Sequence, residues 1–181
     1  MVKKVEIPLE VCTRLINHSP VALVSTAYQT TRNVMPLAWL MPASHTPRLI
    51  AISLVPKRYT YELLEKSKEF VINIPSVNQK ELVQKCGSVS GRNEDKFKAF
   101  NIRTIPADVV QAPLLEDCVA HLECHYVSET KAGDHNVIIA EVVKAWANEG
   151  VMKKEGVVDL KKAQMLHHLG GNYFCSTEKE V

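Results

Sequence analysis

"CVAHLECHYVSETKAGDHNVIIAEVVKAWA" occupies residues 118–147. Two extended runs, Cys118–Glu129 and Asn136–Ala147, flank the short segment "TKAGDH". Gly133-Asp134 is turn chemistry, because glycine accepts a positive φ and aspartate bonds its own backbone. Two long strands joined so tightly pair antiparallel, since a parallel pair needs a long crossover. A histidine, His135, stands where the turn delivers the chain into the second strand. Side chains alternate faces along the first strand. Cys118, Leu122, Cys124 and Tyr126 share one face, and His121, Glu123 and His125 the other. The cysteines and histidines therefore do not converge on a mixed zinc site. The His-Glu-His face reads as a solvated strand face, and no metal is expected.

Upstream of this pair the pattern is again extended. "PVALVSTAY" (20–28), "RLIAISLV" (48–55) and "EFVINIP" (69–75) are rich in β-branched and apolar residues and read as strands. "NVMPLAWLMPAS" (33–44) carries Pro36 and Pro42 and reads as a broken or edge strand. Short helices fill the gaps. "IPLEVCTRLINHSP" places Leu9, Cys12, Leu15 and Ile16 at helical spacing. "TYELLEKS" has Thr60 as a candidate N-cap. "NQKELVQKC" has Asn78 and Glu81 in capping-box spacing. "NEDKFKAF" starts at another candidate cap, Asn93. "GSVSGR" between the last two is a polar loop, and the tail "LHHLGGNYFCST" reads as an irregular docking segment. Six strands against three or four short helices, without βαβ alternation, predict a mainly β fold. That fold is a six-stranded antiparallel sheet closed into a small barrel, with peripheral helices, in a single domain over 1–181.

Composition narrows the functions. Of 181 residues, 22 are basic and 20 acidic, for a formal charge of +2. That balance gives no long-range field for nucleic acid or an anionic membrane. The longest apolar runs, such as Leu49–Val55 broken only by Ser53, fall far short of the ~20 residues a membrane helix needs. "MVKKVEIPLE" has no following apolar h-region, so a cytoplasmic location is expected. The five cysteines form no CxxC pair and read as reduced, mostly buried thiols. There is no GxGxxG after a strand, no P-loop and no GxSxG elbow.

Two stretches carry candidate chemistry. In "SLVPKRYT" (53–60) a strand ends, Pro56 breaks it and a helix begins. A helix N-terminus presents unpaired N–H groups and partial positive charge. With Lys57, Arg58 and the hydroxyls of Ser53, Tyr59 and Thr60 it makes a phosphate site, or else a solvated basic loop with an ordinary cap. In "NVMPLAWLMPASHTP" (33–47) a proline-stiffened segment either offers its backbone and Met35, Trp39 and Met41 to a planar heteroaromatic, or fills a core.

The ordered set of these segments resembles the flavin reductase-like family of FMN-binding split barrels, in particular the flavoredoxin and archaeal ferric-reductase branch. The elements run "PVALVST", "NVMPLAWLMPASHTP", "LIAISLVPKRYT", "EFVINIP", "GSVSGRNEDKF", "APLLEDCVAHLEC" and "GDHNVIIAEVVKA". The resemblance implies a six-stranded split barrel, a homodimer and bound FMN. It implies phosphate contacts at Ser53, Lys57, Arg58, Tyr59 and Thr60. The flavin ring would lie along Asn33, Met35, Pro36, Leu37, Ala38, Trp39, Met41, Ala43 and Ser44. Ser90, Gly91 and Lys96 would lie nearby, and His135 would meet the electron donor as the catalytic residue. The implied activity passes electrons from NAD(P)H through FMN to free flavin, ferric iron or a redox protein partner. The alternatives are a flavoredoxin-type carrier without its own NAD(P)H activity, or a barrel that has lost flavin. The chain departs from the family pattern at Arg32, where a glycine is common, and at Pro47-Arg48, where Pro-Pro is common.

Overall fold

The proline-bearing segment closes the molecule. The computed structural model describes residues 2–17 and 19–177. In chain order the elements are β1 (Lys4–Glu6), α1 (Leu9–Cys12), β2 (Ala22–Tyr28), β3 (Thr31–Leu37), β4 (Leu40–Ser44), β5 (Leu49–Leu54), α2 (Tyr59–Ser67) and β6 (Glu69–Ile74). They continue with α3 (Lys80–Ser88), α4 (Lys96–Ala99), β7 (Thr104–Ile105), β8 (Leu114–Leu115), β9 (Ala120–Ala132), β10 (His135–Asn148), β11 (Leu166–Gly170) and β12 (Tyr173–Ser176). The main sheet is antiparallel in the order β3-β2-β6-β9-β10-β5-β4, with β1 added on β10. Its two ends, β3 and β4, are consecutive in the chain and separated only by Ala38 and Trp39. One extended segment thus pairs with β2 through its first half and with β5 through its second. The sheet returns on itself as a six-strand barrel, the broken strand counting once. Pro36 and Pro42 are tolerated because both sit at sheet ends, where a missing N–H leaves no ladder partner unsatisfied.

The core lies inside the barrel. Val24, Ile50, Ile52, Phe70, Ile72, Leu122 and Ile138 are buried there, alternating with outward positions along each strand. A second cluster, with Val21, Val34, Val83, Cys86 and Phe97, seats α3 and α4 against the outside of β3. Four cysteines are buried and only Cys175 is exposed, all as free thiols. No helix among the described residues is long and apolar enough to cross a membrane.

Several local expectations change. The His-Glu-His face of β9 is not solvated at His121 and Glu123, which are fully buried, and only His125 is exposed. Residues 105–114 fold over that face, and its backbone uses the carboxylate. Glu123 accepts from the N–H groups of Asp108, Val109 and Val110 and from the Trp146 indole at 2.7 Å. Thr60 is inside α2, and its N-cap is Arg58. The capping box is made by Ser76 and Gln79, ahead of Asn78 and Glu81. Asp95, not Asn93, caps α4 by accepting from Phe97 and Lys98. The tail is a hairpin, β11 with β12, with a register shift between His168 and Gly170 and with Gly170 and Gly171 at φ of 125° and 54°.

Candidate functional site

A cleft of about 810 Å³ opens at the seam where β3 passes into β4, roofed by α3, the loop after it, and the C-terminal hairpin. β3 presents Asn33, Met35, Pro36 and Leu37 to it, and the link to β4 adds Ala38 and Trp39. The end of β5 and the turn into α2 add Ser53, Lys57, Arg58, Tyr59 and Thr60. The loop 88–92 and α4 bring Ser90, Gly91 and Lys96, and the start of β10 brings His135. Met41, Ala43 and Ser44 do not line the cleft, because β4 turns away beyond Trp39; Met41 is 56% exposed.

One end of the cleft is built for an anion. The first turn of α2 has no side-chain cap, so its N–H groups point outward with the positive end of the helix dipole. Lys57, Arg58 and Arg92 surround that turn. Arg92 is held there by bonds to Lys57 O at 3.1 Å and to Glu62 at 3.0 Å. Lys96 is only 4% exposed, yet its ammonium has no carboxylate partner among the described residues. It donates instead to two backbone carbonyls, Val34 O at 2.9 Å and Cys86 O at 2.6 Å. Burial lowers its pKa, and the nearby Arg58 pushes the same way. An ammonium has three donors, and a buried cation without a counter-ion is costly. An anion arriving in the cleft relieves both. Burial pushes the neighbouring Cys86 thiol up to about 11, which keeps it protonated at neutral pH.

The groove floor is sterically tuned. Asn33 is buried and donates to Thr60 Oγ1 at 2.8 Å, tying β3 to α2. Gly91 lies directly on that pair, and a Cβ there would overlap Asn33 Oδ1 and touch the Tyr59 ring. The backbone of the loop can approach the groove only because residue 91 has no side chain.

At the rim, Trp39 is 61% exposed and stacks on His135 with ring centroids 4.7 Å apart. His135 Nδ1 lies 2.7 Å from Asp134 Oδ1. A carboxylate only accepts, so Nδ1 carries the proton and Nε2 is left to bond elsewhere. His135 holds the Asp134 carboxyl below its usual range. The turn is also fixed to α2. Asn136 donates to Tyr61 Oη at 3.0 Å, and Tyr61 donates to the Glu129 carboxylate at 2.9 Å. Burial, then that carboxylate, raises the Tyr61 phenol to about 12.

The sequence did not announce the hairpin. His168, Gly171, Asn172 and Phe174 line the cleft, although the only signal in the tail was its Gly-Gly pair. The contribution of α3, through Val83, Gln84 and Gly87, was equally silent.

The comparisons with known proteins agree with this architecture. A family model described as flavin reductase like domain matches residues 15–173. An uncharacterized protein of Escherichia coli, YddH, is 36% identical over 182 residues, spanning 97% of this chain and 96% of its own length. The crystal structure of an FMN-binding domain of a flavin reductase-like enzyme from Shewanella baltica superposes with a TM-score of 0.91 at 28% identity, covering 99% of this chain and 97% of that one. Flavoredoxin of Desulfovibrio vulgaris superposes with a TM-score of 0.82 at 25% identity, covering 90% and 88%.

Proposed function

The chain belongs to the flavin reductase-like domain family, and from that premise we propose that it is an FMN-dependent oxidoreductase whose cofactor occupies the seam cleft and takes its electrons from NAD(P)H. The observation that carries the reading is Lys96, a buried ammonium without a counter-ion among the described residues, set beside the uncapped start of α2. The cleft fits FMN in its chemistry. Its cationic end suits a phosphate, and its neutral remainder, floored by the edge backbone of β3 and by Met35, suits a flat heteroaromatic ring. When bound, FMN supplies hydride acceptance and onward electron transfer.

The chain's own residues supply position and charge. Lys57, Arg58 and the N–H groups opening α2 would hold the phosphate. Lys96 adds a fixed positive charge in a water-poor wall, where it acts with little dielectric screening. Backbone N–H groups at the edge of β3 and its link to β4 would bond the polar edge of the ring. His135, its Nδ1 proton held by Asp134, offers Nε2 to an incoming donor at the rim. The acceptor would be free flavin, ferric iron or a redox protein. Met41, exposed where β4 leaves the cleft, suits the buried contact of a homodimer, which light scattering would register.

The decisive experiment is spectroscopic. The purified chain, titrated with FMN, should develop a bound-flavin spectrum, and NADH or NADPH under anaerobic conditions should bleach it in stopped flow. Lys96→Met should weaken FMN binding at least tenfold. Absence of FMN binding defeats the flavin reading. FMN binding without bleaching by either nucleotide leaves the second reading, a flavoredoxin-type carrier. The exposed Trp39 edge, a ready contact for a protein partner, favours that alternative.

A further inference from the structure

We propose that the C-terminal hairpin β11–β12 is the recognition wall for the second substrate of this cleft, and that this substrate is a planar aromatic molecule carrying a hydrogen-bond donor. The inference rests on the flavin reading for what occupies the rest of the cleft.

The hairpin is anchored, not adrift. Val21 N donates to Leu166 O at 2.7 Å, Val77 N donates to Gln164 O at 2.9 Å, and Ser76 bridges Met165. Leu166 is buried beside Val21 and Val83, with Phe174 packed on the same cluster. From this base the strands project to the Gly170-Gly171 turn. His168, Asn172 and Phe174 then face the cleft.

Position separates this wall from the anion end. α3 runs along the cleft between them. Near its start, Lys80 lies 5.8 Å from the Phe174 ring, and Val83 packs in the Phe174 cluster. Beyond its end, Gly91 meets Tyr59, and Arg92 bonds Lys57 O. The nine residues of α3 rise roughly 13 Å at 1.5 Å per residue. The hairpin thus stands about one helix length from the phosphate-binding groups.

Chemistry separates them too. No charged side chain of the hairpin lines the cleft. What it offers are rings and an amide. His168 and Phe174 form a tilted pair with centroids 5.2 Å apart, within the range where aromatic groups attract. Trp39 stacked on His135 lines the same cleft from the barrel side. Walls made of aromatic rings favour a flat π-system over a puckered ring of equal size. His168 also has a defined proton. Its Nε2 lies 3.0 Å from Gly171 O. A carbonyl only accepts, so Nε2 donates and the acceptor of the imidazole is Nδ1. That acceptor, with the Asn172 carboxamide, suits a hydroxyl or N–H on the substrate.

The test is calorimetric, on the full chain saturated with FMN. The probes are 4-hydroxyacetophenone, the same ketone without its hydroxyl, and the saturated analogue 1-(4-hydroxycyclohexyl)ethanone. The native chain should bind the hydroxylated aromatic at least fivefold more tightly than the saturated analogue. Phe174→Leu, which keeps bulk but removes the ring, should reduce that preference at least threefold. His168→Ala should erase the advantage of the hydroxylated over the unsubstituted ketone. Both variants should hold FMN within twofold of the native chain and melt within a few degrees of it. Equal binding of aromatic and saturated probes, no probe binding, or native-like preferences in both variants overturns the proposal. Loss of FMN in step with probe binding also overturns it, because the hairpin would then belong to the cofactor. A chain that takes up no FMN defeats the flavin reading instead, and the same titrations on the FMN-free chain still decide the wall.

Discussion

His121 and Glu123 show what burial does to residues that a strand pattern assigns to solvent. Glu123 collects three backbone N–H groups and an indole N–H, so its charge is fully solvated by protein. His121 is less well served. Its Nδ1 bonds Asn73 Oδ1 at 2.9 Å, while its buried Nε2 has no partner among the described residues. Burial, with Lys4 adding to it, lowers the His121 pKa well below 6.5. The imidazole is therefore neutral in the native state. The unfolded chain takes up a proton near pH 6.5, and the native chain does so only at much lower pH. The unfolded state binds more protons in that window. The stability held above pH 6.5 is thus lost as pH falls toward the native value, at up to ~1.4 kcal/mol per pH unit for this one group. Urea unfolding of native chain and His121→Gln between pH 7 and 5 should show the variant losing less stability, by up to about 2 kcal/mol over that interval. Parallel profiles would mean that His121 takes up its proton at the same pH in the folded and unfolded chains. The alternation that placed His121 and Glu123 on one face was correct. What the sequence lacked was any sign that residues 105–114 would cover that face.

Elements were more legible than the contacts between them. β2, β5, β6, β9 and β10 follow from apolar and β-branched runs, and the broken β3–β4 follows from two prolines. Helix starts were misassigned because polar cap candidates are frequent, and the one used depends on where the chain leaves the sheet. Asp95 and Ser76 stand at those exits, and Asn93 and Asn78 do not. The phosphate-facing turn of α2 was legible as basic residues after a strand-breaking proline. Its closeness to Lys96 and Gly91 was not, because 35 residues intervene between Thr60 and Lys96. Gly91 gives this packing a test. A methyl at residue 91 would collide with Asn33, whose amide holds Thr60. Asn33 is buried and cannot swing aside, so the loop must lift from the groove. Gly91→Ala should weaken FMN binding at least tenfold. The melting temperature should fall by no more than a few degrees, since the loop contributes little to the core. An unchanged FMN affinity, by fluorescence titration, would place the cofactor away from the Asn33–Thr60 floor.

At the scale of the whole molecule, closure is what unites the barrel. Each of β2, β6, β9 and β10 is paired on both sides, and the Thr31–Ser44 segment joins the last open edges. Opening any one of these strands exposes the common interior of Ile50, Phe70, Ile72, Leu122 and Ile138. Their backbone amides should therefore exchange with solvent only through global unfolding. The β11–β12 hairpin is a separate two-stranded sheet, and such hairpins are marginal on their own. It is anchored through Leu166 and Phe174 at its base, and Leu169 and Tyr173 toward its turn are exposed. It should open without the barrel. Native-state hydrogen exchange in low urea would separate the two. Amides of β9 and β10 should share the free energy and denaturant slope of equilibrium unfolding. Amides of β11 and β12 should exchange at lower free energy with a slope near zero. Matching slopes would join the hairpin to the barrel as one cooperative unit. A wall that opens alone is one that a ligand can steady, so an aromatic probe bound against His168 and Phe174 should slow exchange in the hairpin while leaving β9 and β10 unchanged beyond the mass-action gain in global stability.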